Sequence, residues 1–167
     1  MTDQQKELYE LVKSAIDKFN SKEQYLISHD LSERCICAKF GWYLERELVD
    51  TPFADYDVDV EYNRGNKGNE YDCKRLDDNQ RIVVDLIVHK RGYDEQFGFN
   101  NLICIEMKKA YGKVGLDADK ERLRLMTCGR GDFCYQAGFM IVIDAEQKKK
   151  HFGLRVESSY YFNDRER

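Results

Sequence analysis

The chain is short of the residues that punctuate or staple unusual proteins. It has one proline, Pro52, and 11 glycines in 167 residues, which excludes a Pro-rich linker or a low-complexity disordered chain. No apolar run approaches the roughly 18 residues of a membrane span, and MTDQQKELYELVK has no signal-peptide h-region. No membrane association is expected. The three histidines include no pair at metal-ligand spacing, and His29 and His89 have no Cys or His partner nearby. His89 does alternate with Asp85, which leaves it a supporting role. The six cysteines lack the paired C-x2-C pattern of a structural zinc site. Cys35 and Cys104 sit in apolar stretches, as buried free thiols do, and reduced cysteines point to the cytoplasm.

What is present suits one water-soluble domain: 42% hydrophobic and 35% charged residues at a length that supports a single core. The formal charge of −4 does not suggest a general nucleic-acid coat. That average hides an acidic first third and a basic strip over 108–130, where Lys108, Lys109, Lys113, Lys120, Arg122, Arg124 and Arg130 outnumber the acids. Such a strip suits a polyanion, although solvated helix faces look the same.

Hydrophobic periodicity divides the chain. Leu8, Leu11, Val12, Ala15, Ile16 and Phe19 recur at helical spacing and predict a helix over 3–19. Asp30-Leu31-Ser32-Glu33 reads as a capping box opening a helix over 31–49. The period then becomes two: Asp57-Val58-Asp59-Val60-Glu61-Tyr62 alternates as a half-buried strand does. A long turn is expected over 63–79, central strands over 81–89 and 102–108, a helix over 117–127 capped by Asp117, a core strand over 138–144 and an edge strand over 152–156. The result is one α/β domain.

Asp85 and Glu106 are out of place in this pattern. Each sits in an otherwise apolar strand, where an unpaired carboxylate costs several kcal/mol. Lys108 follows Glu106 by two residues and so shares its face. If the two strands pair, Asp85 joins them, and two carboxylates beside an amine suit Mg²⁺ and a polarised water. The acid-x-Lys pattern alone is uninformative, because chance placement supplies about three matches. Asp72-x-Lys74 and Glu146-x-Lys148 are further copies, in polar stretches; only Glu106-x-Lys108 ends an apolar strand that follows one bearing its own acid.

In these residues the chain resembles the PD-(D/E)XK nuclease superfamily, whose signature is an acid on the second core strand and acid-x-Lys on the third. The segments Val84 to Gly92 and Asn101 to Lys109, with Asp59 to Arg64, look like its compact standalone members. Val84 stands where a proline often precedes the first acid. The resemblance implies an α/β fold with a restriction-endonuclease-like core of helix, three strands, helix and strand over about 30–145. A mixed central sheet and an extra N-terminal helix complete it, and 1–29 and 145–167 are decoration. It implies a Mg²⁺- or Mn²⁺-dependent nuclease acting on DNA, with metal on Asp85, Glu106 and the Met107 carbonyl. Lys108 would assist water attack, Glu33 would add a carboxylate from the first core helix, and Lys120 would reach in from the later one. Arg64, Lys90 and Arg91 would contact phosphates, and a homodimer would suit cutting of two strands.

Each reading has a plainer rival. The Asp85, Glu106 and Lys108 set could be a buried structural salt bridge, and Glu33 could simply close the capping box with Asp30. Asp57, Asp59 and Glu61 could be a solvated strand face, Lys90, Arg91 and Arg64 could blunt loops, and Lys120 could be solvated. Trp42 reads as core or as a partner-facing anchor. Tyr135 and the Tyr160-Tyr161-Phe162 cluster suit a dimer surface, and a terminal edge strand explains them equally well. The rival functions are a catalytically silent nucleic-acid-binding module and a protein-interaction domain on the same fold.

Overall fold

The computed structural model describes residues 1–63, 81–91, 100–111, 115–128, 133–145 and 152–162. Most of the turn expected over 63–79, with Arg64, lies outside them. The fold is α/β, with a five-stranded mixed sheet and four helices among the described residues.

Helix α1 spans Asp3–Lys22. Thr2 caps it: the Thr2 hydroxyl accepts the Gln5 N–H (3.2 Å) and the Gln5 side chain accepts the Thr2 N–H (2.8 Å). Its stripe Leu8, Val12, Ala15, Ile16 and Phe19 is buried. The helix runs past the expected stop, because Asn20 has a tertiary use. Its amide donates to the Leu154 carbonyl (2.9 Å) and accepts the Leu154 N–H (2.7 Å). A short helix α2, Gln24–Ser28, was not expected; it buries Ile27.

Helix α3 spans Glu33–Leu48 and corrects the capping box. Ser32 is the cap, accepting the Cys35 N–H at 3.2 Å. Asp30 instead adopts φ 52° and binds Lys109 and Tyr111, so its carboxylate is committed elsewhere. Ile36, Cys37, Phe40, Tyr43, Leu44 and Leu48 face inward. Trp42 is 45% exposed, so it is not a core residue. Cys104 is buried as expected, but Cys35 is exposed and Cys37 is the buried thiol of α3.

The strands are β1 (Asp57–Val60), β2 (Leu86–His89), β3 (Asn101–Lys109), β4 (Ala137–Asp144) and β5 (Gly153–Tyr161), side by side in chain order. Neighbours are antiparallel except β3 and β4, which run parallel and are joined through helix α4, Leu116–Thr127. A parallel pair needs such a crossover. Gly115, at φ 87°, precedes α4 as its cap, so Asp117 is a first-turn acid rather than the cap. Strand β5 is longer than expected and carries Tyr160 and Tyr161 onto opposite faces of the sheet.

Helices α1 and α3 cover one face over the larger core, with Leu86, Val88, Ile103, Ile105 and Met107 beneath them. Helix α4 covers the other face, over Ile87, Cys104 and Met140. It packs closely because Gly138 lies beneath it: a Cβ there would meet Thr127 Cγ2 at 3.0 Å and Cys104 Sγ at 3.3 Å. No helix among the described residues is long and apolar enough to cross a membrane.

Candidate active site

Strand β2 begins five residues later than its hydrophobic run suggests, and the site lies at that shortfall. Pairing of β2 with β3 ends at Leu86 opposite Ile105. The next residue outward, Asp85, uses its side chain where a partner strand would use its backbone: Oδ2 accepts the Met107 N–H at 2.7 Å. The Asp85 carbonyl accepts the Glu61 N–H (3.0 Å) and the Cys37 thiol (3.3 Å), fixing the bend against β1 and α3. Asp85 is therefore held from three sides.

Glu106 and Lys108 alternate with the core residues of β3 and point to the α4 face, as period-two geometry requires. Glu106 is only 3% exposed. Burial, followed by the nearby charge of Asp85, pushes its carboxyl up to about 8, against the partial relief of an ion pair with Arg122. Asp85 is also raised: burial dominates, opposed by the Met107 N–H and a side-chain hydrogen bond with Glu106, while Asp119 and Glu33 add like charge. Two carboxyl groups thus share a buried spot with more negative charge than the lone guanidinium satisfies.

Two residues of this cluster were not expected. Arg122 reaches Glu106 from α4, and Asp119 lies between cations, 3.6 Å from Lys108 Nζ and 3.4 Å from Arg122. Asp119 heads the buried stripe Asp119, Leu123, Met126, one turn after the half-buried Leu116, and an acid inside such a stripe was the signal available. Lys120, the residue expected to reach in, is half-buried on α4, and Asp119 and Arg122 hold the contacts to Glu106 and Lys108.

Glu33 does join the site's edge. Its Oε1 accepts the Lys109 N–H at 2.8 Å, tying the first turn of α3 to the end of β3. Together Ser32, Glu33, Arg34, Cys37, Glu61 and Asp85 line a cleft of about 390 Å³. Arg34 donates to Glu61 there at 2.7 Å. Burial first, then the charges of Asp85, Glu106 and Glu61, pushes the Cys37 thiol far up, so it stays protonated and is no nucleophile.

The loop cations lie on carboxylates. Arg91 grips Asp59 through two nitrogens (2.6 and 2.8 Å), and His89 Nε2 lies 2.9 Å from the same carboxylate. The Arg91 bonds above all, with the His89 hydrogen bond beside them, lower the Asp59 carboxyl from its ordinary value against the effect of burial. Lys90 lies 2.5 Å from Asp55, over the Tyr56 ring. Asp57 and Asp59 are therefore committed to Arg91.

No family model, curated protein or solved structure matches the chain. The chemistry has to be argued from the side chains themselves. Among the described residues no group of three or more His, Cys, Asp or Glu side chains is arranged to hold a metal ion. Asp85 and Glu106 alone are a sparse set, yet Mg²⁺ keeps most of its waters and is commonly bound through one or two carboxylates. Their oxygen donors suit a hard divalent cation, which would take the place of the proton that Glu106 holds.

Proposed function

We propose that this protein is a Mg²⁺- or Mn²⁺-dependent nuclease of the PD-(D/E)XK type that hydrolyses phosphodiester bonds, in DNA first of all. One observation carries the reading. Where β2 parts from β3, Asp85 and Glu106 are brought together in a buried place that raises both carboxyls, and Lys108 stands one alternation further along the same strand face. A purely structural salt bridge would be expected to lower its carboxylates, not to raise both. The strand order, with antiparallel β1, β2 and β3 followed by a helical crossover to parallel β4, supports a restriction-endonuclease-like core behind α3.

Asp85 and Glu106, with the Met107 carbonyl, are the residues that would hold the ion. When bound, a divalent cation supplies Lewis-acid polarisation of a phosphoryl oxygen and lowers the pKa of water beside it. Lys108 orients the attacking water and offsets charge building on the phosphoryl oxygens. Asp119 holds the Lys108 ammonium on the site side of α4, and Arg122 serves as counter-ion to Glu106. Glu33 braces the end of β3 through Lys109.

The test is cleavage of plasmid, linear and single-stranded DNA with Mg²⁺ or Mn²⁺, beside Lys108→Ala and an EDTA control. Cutting by the native chain that disappears in both controls supports the reading. An inert native chain that also gains no thermal stability from either metal would sink it. RNA substrates in the same series decide which nucleic acid is preferred.

A further inference from the structure

The last strand carries a residue that the proposed chemistry does not use. Lys108 on β3 pairs with Val142 on β4, and Val142 pairs with Arg155 on β5. Cross-strand partners share a face, so Lys108 and Arg155 both stand on the α4 side, two strand widths apart, roughly 9–10 Å between main chains. The neighbours of Arg155, Leu154 and Val156, go to the opposite core, which confirms that direction.

Lys108, Lys109 and Arg155 line a second cleft of about 390 Å³, between the first turn of α4 and the open edge of the sheet. Asp117 and Glu157 also line it, and its lysines have carboxylates of their own, Asp119 at 3.6 Å from Lys108 and Asp30 at 2.7 Å from Lys109. Arg155 is paired through one terminal nitrogen with Glu157, two residues along its own strand. Its Nε–H is buried and has no hydrogen-bond partner. A guanidinium presents five donors in a rigid fork, so a single carboxylate held through one nitrogen leaves most of its capacity unused. A half-buried arginine in this position, level with the lysine of the proposed site, suits a polyanionic strand.

We infer that this cleft is a backbone-phosphate subsite: Arg155 holds a phosphate adjoining the one attacked beside Lys108. The substrate class is then a polynucleotide strand continuing past the cut, not a single phosphate ester. This rests on the nuclease reading above and adds a specific residue to it.

The experiment uses the full chain and a labelled DNA oligonucleotide, with cleavage kinetics in Mg²⁺ and binding across a salt series in EDTA. Arg155→Ala is expected to raise KM by about 5–10-fold with little change in kcat, as loss of one charge-assisted contact does. It should also reduce the slope of log affinity against log salt by about 0.7–0.9, the share of one phosphate contact. Arg155→Lys should restore the slope, since it keeps the charge, but only part of the affinity. Glu157→Gln, which releases the guanidinium, should lower KM; this variant guards against misfolding of the alanine form. An arginine with a merely structural role would shift melting and kcat and leave the salt slope alone. If the native chain cuts DNA while Arg155→Ala and Glu157→Gln match it in KM and slope, the subsite is wrong and the nuclease stands. If the native chain neither binds nor cuts any oligonucleotide, both fall.

Discussion

The end of β3 is flanked by two clefts of the same size and opposite character. One, beneath the first turn of α3, collects Glu33, Glu61 and Asp85 against a single Arg34. The other, beside the first turn of α4, collects Lys108, Lys109 and Arg155 against Asp117 and Glu157. The end of β3 meets both. The Met107 N–H goes in the plane of the sheet to Asp85, while the Lys108 side chain, on the face it shares with Glu106, lines the second cleft. A reaction between a cation-dependent water and an anionic chain needs both signs of charge within reach, and the end of one strand supplies them from adjacent residues.

The comparison breaks most completely on the acidic side. Glu106→Gln is expected to abolish metal-dependent cleavage, a loss of about 10³-fold or more, and to remove any rise in melting temperature on adding Mn²⁺. Next comes Arg122→Ala. Stripping the counter-ion from a buried carboxylate should cost about 2–4 kcal/mol at pH 8, read by urea denaturation, and less at pH 6 where Glu106 takes a proton.

The acidity of the site gives a third, graded effect. Glu106 holds its proton to about pH 8 in the fold, against an ordinary value of 4.5, so the native state binds more protons across that window. Stability should therefore fall as pH rises from about 4.5 to about 8, and Glu106→Gln should flatten that fall. Mg²⁺ competes with the same proton, so its stabilising effect should be larger at pH 8 than at pH 6, measured by thermal melts in matched buffers. Smallest is Ser32→Ala, which removes the cap of α3 from the wall of the acidic cleft. About 1 kcal/mol of stability is expected to go, with the basic cleft's salt-dependent DNA binding unaffected.

Much of this architecture could be read from the chain because its strongest signals are periodic. The α1 stripe from Leu8 to Phe19, the alternation at 57–60 and the apolar runs of β3 and β4 each declare an element and the side it buries. Asp85 and Glu106 declared themselves as charges where charge is costly. The capping of α3 was misread because Asp30 and Ser32 are both good cap residues, and only the distant Lys109 and Tyr111 decide between them. Residues 82–85 carry strand-like apolar content, but pairing stops at Leu86 because Asp85 satisfies the Met107 N–H with a side chain. Asp119 and Arg122 looked like ordinary members of a charged helix, and their role exists only because α4 lies against β3. Arg155 was hidden for a related reason. Nothing local reveals that its register aligns it with Lys108 two strands away.

Asn20 and Leu154, 134 positions apart, exchange two hydrogen bonds, and the Gln5 amide donates to the carbonyl of Phe162, 157 positions away. During synthesis α1 and α3 are made before β5, so the last turn of α1 has to wait for that strand before these hydrogen bonds can close. Until β5 arrives, β4 is an open edge ready to pair with any extended chain. The clasp thus ties the basic cleft, whose arginine rides on β5, to the seating of α1.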